Sequence, residues 1–305
     1  MDERSPAALF INTRSRRGGE EYERAVGLLR EAGVPLGTCR AVEDPAELPE
    51  LVAEAVASGC RAVLVGGGDG TLSSVIASFV GGSAVLGILP VGTGNLVAKA
   101  LGIDDLPAAV AAIAGGQVAE IDVCRAGERY FLNSLSLGLA AAFRRDAPRA
   151  LKHRMGMLAY AIAAGRTFLH AQPFFARLTI DGQGIAAICH DVVATNGRFI
   201  GPNLPAGPDA AIDDHELIVF TLGGRGRTRL LIQAVKVWRG RHAGNPRFHY
   251  RITSGLTVVA DPPQRYLLDG EPGGVTPVTI RLLPHAVKVF APGVEPASAP
   301  RAVTD

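Results

Sequence analysis

The chain has 305 residues, more than an ordinary small domain needs and suited to two of ~100–200 residues each. Its 48% hydrophobic content, with 20% charged residues and 37 glycines, excludes general disorder and describes a folded, loop-rich protein. A formal net charge of +2 is too near neutral for a nucleic-acid binder and leaves a local basic patch as the route to any anionic surface. From the N-terminus, apolar strands alternate with helical segments. The pattern predicts a strand at Ala7–Asn12, a helix over Glu20–Ala32, a strand at Leu36–Ala41, a helix over Pro45–Ser58, a strand at Arg61–Val65, a helix over Thr71–Phe79 and a strand at Val85–Pro90. Such βαβ rhythm implies a parallel sheet with helices packed on it.

Beyond Ile121 the rhythm changes. Strands are predicted at Arg129–Leu137, Ala176–Asp181, Ile185–Asn196, Glu216–Leu222, Phe248–Thr253, Leu256–Ala260, Tyr266–Asp269 and Val278–Leu283, with helices near 151–170 and 225–238. Many strands separated by turn residues imply a mainly antiparallel sandwich. The expected division is an α/β domain over 1–123, a β-sandwich over 124–284, and a segment over 285–305 that returns to the first domain and ends in a disordered tail. Cys39, Cys60, Cys124 and Cys189 show no paired spacing, so reduced, structural thiols are expected. The first residues carry acids and lead into a strand without a secretory apolar stretch, which predicts a cytoplasmic protein. Met155–Leu169 is interrupted by Gly156, Gly165 and Arg166 and falls short of the ~20 residues that span a bilayer.

Three motifs carry chemistry. Val63–Val65 runs into Gly66-Gly67-Gly68-Asp69-Gly70-Thr71 and then a helix, a place where the backbone can approach a phosphate. The absence of Gly-Lys-Ser/Thr excludes a Walker A loop, and the dinucleotide spacing is also missing. Asp69 beside phosphates calls for a divalent cation, Mg²⁺; its structural alternative is a helix N-cap. Pro90-Val91-Gly92-Thr93-Gly94-Asn95 repeats the arrangement after the next strand, and two such loops open on the same edge of a parallel sheet. Leu268-Asp269-Gly270-Glu271 follows a late strand; Glu271 is the candidate base for phosphoryl transfer to a hydroxyl, against a plain Asp-Gly hairpin turn.

In this order, GGGDGT at 66–71, PVGTGN at 90–95, IDV at 121–123 and LDGE at 268–271 resemble the diacylglycerol kinase catalytic-domain family, which includes bacterial lipid kinases and the sphingosine and ceramide kinases. The resemblance runs from Asn12 to about Pro292. It implies an N-terminal α/β nucleotide domain, a C-terminal β-sandwich, an active site in the cleft between them, and ATP-dependent phosphorylation of a lipid hydroxyl with a diacylglycerol-like acceptor. It also implies that ATP meets Asn12, Ser15, Arg40, Gly66, Gly67, Gly68, Asp69, Gly70, Thr71, Leu72, Gly92, Thr93 and Asn95, that Asp69 and Asp122 belong to the Mg²⁺ and water network, and that Glu271 is the general base. A second, structural metal would take the Asp214 side chain and backbone oxygens of Ala211 and Glu216.

The chain departs from the family pattern at named places. Thr13 and Arg16 stand in the first loop where Pro and Gly are usual, Leu96 replaces the Asp that follows Asn, His215 occupies the Gly of an Asp-Gly turn, and Asn203 interrupts a glycine-rich segment. Arg144, Arg145, Arg149, Lys152, His153 and Arg154 form a basic run before the apolar helix, suited to peripheral contact with an anionic membrane at its inner face, or to a solvated face of a packed helix. Two other readings compete: an NAD kinase-like enzyme acting on a soluble hydroxyl, and a non-catalytic lipid- or nucleotide-binding protein. Oligomeric state has no signal in the sequence.

Overall fold

In the computed structural model, the described residues are 5–15, 17–146, 165–201, 204–206, 210–224, 226–238 and 251–292. The chain forms two compact units, one drawn from Met1–Ile121, Ile212–Asp214 and His285–Asp305, the other from Asp122–Ala211 and His215–Pro284.

The first unit begins with β1 (Ala7–Asn12), α1 (Gly18–Glu31), β2 (Leu36–Val42), α2 (Leu48–Ala57), β3 (Ala62–Gly67), α3 (Asp69–Val75), β4 (Val85–Pro90), α4 (Leu96–Ala100) and α5 (Leu106–Gly115), and β5 (Val118–Ala126) belongs to it as far as Ile121. β1 is buried along its whole length, as a strand covered on both faces must be. It lies parallel between β2 and β3, with Phe10 beside Arg40 and Val65, and β4 continues the sheet with Ile88 beside Val65. Ala25, Val26 and Leu29 of α1 and Leu48 and Val52 of α2 are buried at helical spacing. Two predicted helices are subdivided: Pro45–Glu47 and Ile76–Ser78 form 3₁₀ turns at the start of one and the end of the other. α5 lies where no helix was predicted, because its Ala-rich, nearly all-apolar sequence has little amphipathic period. Its punctuation is nevertheless present in the sequence, with Asp105 accepting from the Ala108 N–H at 2.8 Å and Gly116 closing the helix at φ +70°.

In the second unit follow β6 (Arg129–Phe131), β7 (Ser134–Gly138), α6 (Leu139–Asp146), β8 (Phe174–Ile180), β9 (Gln183–Asn196), β10 (Phe199–Gly201), β11 (Leu204–Pro205), β12 (Leu217–Gly223), α7 (Arg227–Trp238), β13 (Arg251–Thr253), β14 (Gly255–Asp261), β15 (Arg265–Leu268), β16 (Glu271–Val275) and β17 (Val278–Phe290). Up to Pro284 the pairing is antiparallel, with β7, β8 and β12 all laid against β9. β8 alternates strictly between buried and exposed positions, so Phe174, Ala176, Leu178 and Ile180 enter a core shared with Leu135, Leu137, Val192 and Val258. β17 outruns its predicted end at Leu283; after His285, at φ +50°, Lys288 and Val289 pair with β4 in the first unit.

The four thiols divide by environment. Cys124 and Cys189 are fully buried, and burial pushes the first well above the ordinary thiol range and the second up to about 12, while Cys39 and Cys60 are partly exposed. At pH 8 a thiol reagent is expected to label Cys39 and Cys60 quickly and to reach Cys124 and Cys189 only on unfolding. Peptide mapping of the labelled protein checks this, and early modification of Cys124 would contradict it.

Candidate functional site

The loops after β1, β3 and β4 meet in the first unit, because parallel neighbours emit their C-terminal loops side by side. Asn12 Nδ2 donates to Thr71 Oγ1 at 3.0 Å, joining the first loop to the glycine-rich one. The side-chain oxygen of Asn12, Oδ1, takes the Arg14 N–H at 3.0 Å, and Arg17 N–H reaches the Val91 carbonyl at 3.3 Å. Asp69 then ties the glycine-rich loop to the next, its Oδ1 accepting the Val97 N–H at 3.2 Å. The N-cap of α3 is Gly68, so Asp69 is not the cap its position allowed.

The glycines are demanded first by this packing. A Cβ on Gly66 would lie 2.6 Å from Ile11 Cγ1, one on Gly67 2.4 Å from Thr71 Cβ, and one on Gly92 2.4 Å from Gly68 Cα. Gly68 itself meets only Gly92 Cα, at 3.4 Å, and keeps a side open. Asn95 is buried at φ +51°; its Oδ1 accepts the Gly92 N–H at 3.1 Å and its Nδ2 donates to the Pro90 and Gly92 carbonyls at 3.1 and 3.2 Å. It shapes its loop from inside, while Thr93 is exposed at the tip.

The remaining nucleotide-side residues are distributed unevenly. Ser15 Oγ is buried without a hydrogen-bond partner, an arrangement that leaves a hydroxyl for a phosphate oxygen. The Leu72 side chain is buried and its N–H, like that of Thr71, is turned to the Gly68 carbonyl at 3.1 and 2.9 Å respectively. Arg40 stays out of this hydrogen-bonded group; its guanidinium is half exposed and lies 4.0 Å from Glu47. Leu96 is buried in α4, where it supplies packing in place of the expected acid.

In the second unit, Asp122 is fully buried, and its carboxylate accepts the His215 N–H at 2.7 Å and faces His215 Nδ1 at 3.0 and 3.1 Å. His215 adopts φ +61°, the conformation a glycine would take there without strain. Asn196 Nδ2 bridges the Asp122 and Leu132 carbonyls, both at 3.0 Å. His215 and Asn196 were not foreseen as partners of Asp122, since nothing local in the sequence links residues so far apart.

The LDGE motif separates its acids. Asp269 and Gly270, at φ +49° and +78°, make the two-residue hairpin turn between β15 and β16. Asp269 is also a structural anchor: its carboxylate accepts the Leu132, Asn133 and Ser134 N–H groups, each at 2.8 Å. Those donors are why the strand predicted over Arg129–Leu137 breaks into β6 and β7. Glu271, two residues on, is half-buried at the start of β16.

Among the described residues no group of three or more His, Cys, Asp or Glu side chains is gathered to hold a metal. Ala211, Asp214 and Glu216 flank the turn that carries His215. Arg144 and Arg145 belong to α6, and Arg149, Lys152, His153, Arg154 and Asn203 lie outside the described residues, as does most of the predicted helix 151–170. No helix among the described residues is long and apolar enough to cross a membrane.

Comparison with known proteins agrees with this architecture. Residues 6–126 match the family model of the diacylglycerol kinase catalytic domain, and residues 133–291 match that of the YegS C-terminal NAD kinase beta sandwich-like domain. A probable YegS-like lipid kinase of Klebsiella pneumoniae is 28% identical over 296 residues, covering 94% of this chain and 96% of that one. Its Pseudomonas putida counterpart is 33% identical over 211 residues, covering 67% and 69%. The crystal structure of a diacylglycerol kinase from Bacillus anthracis has the same fold, with a TM-score of 0.76 at 22% identity over 94% of this chain and 97% of that one. An α/β unit with two abutting glycine loops and an antiparallel β unit is thus the diacylglycerol kinase type of fold. The chain belongs to the YegS-like lipid kinase family.

Replacing Asp269 with Ala would strand three inward-facing N–H donors. The expected cost is about 3 kcal/mol or more of unfolding free energy, measured by urea denaturation. A loss below about 0.5 kcal/mol would show that the carboxylate is dispensable to the fold.

Proposed function

We propose that this lipid kinase transfers the γ-phosphoryl group of ATP to a lipid hydroxyl, with a diacylglycerol-like acceptor. The observation that carries the reading is the three-loop junction, in which Asn12, Asp69 and the Gly68–Gly92 contact hold the β1, β3 and β4 loops in one cluster. Gly68, the Ser15 hydroxyl and the Thr93 hydroxyl offer the phosphates small backbone and neutral donors, and Asn95 keeps the Thr93 loop in shape. Arg40 contributes attraction from the rim.

Asp69 with phosphate oxygens is a donor set that fits Mg²⁺, which prefers one or two carboxylates and keeps several waters. Bound there, the ion would neutralise charge on the transferring phosphoryl. Glu271 orients the acceptor hydroxyl and takes its proton as the oxygen–phosphorus bond forms and the bond to ADP breaks. Asp122, enclosed by His215, acts by orienting its neighbours. A metal on Asp214 with the Ala211 and Glu216 oxygens would hold its turn. Together these roles are positioning and electrostatics, the means by which phosphoryl transfer is accelerated.

The test is transfer from γ-labelled ATP with Mg²⁺ to lipids in mixed micelles, beside NAD as a soluble acceptor. Glu271→Gln is expected to lower transfer by ~10²-fold or more while ATP binding persists, and Asp69→Asn to lower both transfer and Mg²⁺-dependent ATP binding. Phosphorylated NAD with no lipid product would favour the soluble-acceptor enzyme, and ATP binding without any product a binding protein.

Peripheral contact with an anionic inner membrane face is supported by the basic run, each cation near such a surface contributing ~1 kcal/mol. Arg144, Arg145 and Arg149 changed together to Ala should reduce sedimentation with phosphatidylserine vesicles by at least tenfold. Unchanged sedimentation would remove the membrane role from this segment.

A further inference from the structure

The second unit holds a cavity of about 170 Å³ that none of the roles above uses. Its described lining includes the polar residues Thr167, His170, Gln172, His190 and Gln264, with Phe174 among the apolar ones, and no Asp, Glu, Lys or Arg. His190 is the unusual member. The residue is 2% exposed, and its Nδ1 has no hydrogen-bond partner.

Its position has a local cause. β9 pairs Asp191 with Leu222 and Cys189 with Gly223, so two steps on β9 match one on β12 and His190 is the extra residue of a β-bulge. Cys189 and Val192 go to the core, while the bulge sends the His190 side chain to the cavity wall. On the facing strand Gly138 is held at φ +100°, where a Cβ would come within 2.4 Å of the His190 carbonyl. Burial lowers the affinity of this imidazole for a second proton, so the ring is neutral near pH 7 and offers one donor and one acceptor. A neutral donor–acceptor pair, among described lining residues that include no Asp, Glu, Lys or Arg, suits a hydroxyl or carbonyl group rather than a phosphate.

The cavity's place relative to Glu271 narrows the ligand further. It adjoins Gly138 and Gln264, whereas Glu271 follows the turn hydrogen-bonded to Ser134, at the opposite end of the paired strands β7 and β15. Four residue steps, Ser134 to Gly138, separate the two ends, about 13 Å along the sheet. An acceptor hydroxyl at Glu271 would therefore leave the cavity to a later part of the same molecule.

We propose that this cavity is a specificity subsite for an uncharged oxygen function, a hydroxyl or carbonyl, carried on the acceptor lipid's chain away from the phosphorylated hydroxyl, with His190 as its hydrogen-bonding partner. The inference rests on the lipid kinase reading and names a substrate class within it: lipids with a second, mid-chain oxygen.

Two monoacylglycerols that differ only in a mid-chain hydroxyl provide the test. The hydroxylated lipid is expected to have about tenfold higher kcat/KM, the effect of one hydrogen bond, and His190→Leu to bring the ratio near one without lowering transfer to the plain lipid. Gln264→Ala should reduce the same ratio. On wild-type protein labelled with ¹⁵N-histidine, the His190 resonance, assigned by its loss in His190→Leu, should move with the hydroxylated lipid and stay still with the plain one, a readout independent of turnover and of how the variants fold. Equal ratios and an unmoved resonance would overturn the subsite. A moved resonance with neither lipid phosphorylated would keep the subsite and defeat the kinase reading instead.

Discussion

The first unit depends on the approach of two backbones, Gly68 against Gly92, with no side chain between them. β3 and β4 are parallel neighbours, so their loops leave the sheet at the same edge whatever their sequence. Only a glycine at 92, where a Cβ would lie 2.4 Å from Gly68 Cα, lets them close on each other. Once they are in contact, Asp69 can reach the Val97 N–H and Asn95 can fold its own loop inward, leaving Thr93 exposed. The glycine-rich motifs thus have a structural duty before a chemical one. Gly66 and Gly67 are filled by Ile11 and Thr71, and Gly68 is the member with an open side.

The second unit treats its acids differently. Asp269 and Asp122 are enclosed, and both face backbone N–H groups, the way a buried carboxylate offsets the cost of leaving water. In an Asp-Gly-Glu sequence the first acid shapes the turn and pins Leu132–Ser134, the glycine completes the hairpin, and Glu271 remains half-buried. The spacing therefore couples an anchor to a reactive candidate: whatever holds Asp269 also fixes where Glu271 begins its strand.

Much of this was legible in the sequence, for identifiable reasons. β1 and β4 were read with their observed bounds because continuous apolar runs between turn residues leave little freedom of interpretation. The loop motifs were legible because several glycines and an acid crowded at a strand end suit a tight turn beside a phosphate and little else. α5 was missed because an apolar helix buried on most sides lacks the polar stripe that reveals period. The β6–β7 break, the Asp122–His215 contact and the His190 bulge were beyond local reading for a different reason. Each is decided by a partner far along the chain: Asp269 for the first, a residue 93 positions away for the second, and β12 for the third.

Two departures from the family pattern bear on its acids. Leu96 puts a buried apolar side chain where an acid is usual, and the neighbouring Val97 N–H is bound by Asp69. His215 takes a left-handed backbone that a glycine would adopt without strain, and it adds a ring against the Asp122 carboxylate. The first change leaves one acid fewer beside the glycine loops, and the second gives a buried carboxylate a side-chain neighbour. Among the acids the family resemblance points to, Asp69 stands half-buried beside the glycine loops and Asp122 is wholly enclosed. Under the proposed reading, a cation at the nucleotide phosphates would rely on Asp69 and on the phosphates themselves, which suits Mg²⁺ arriving with the nucleotide.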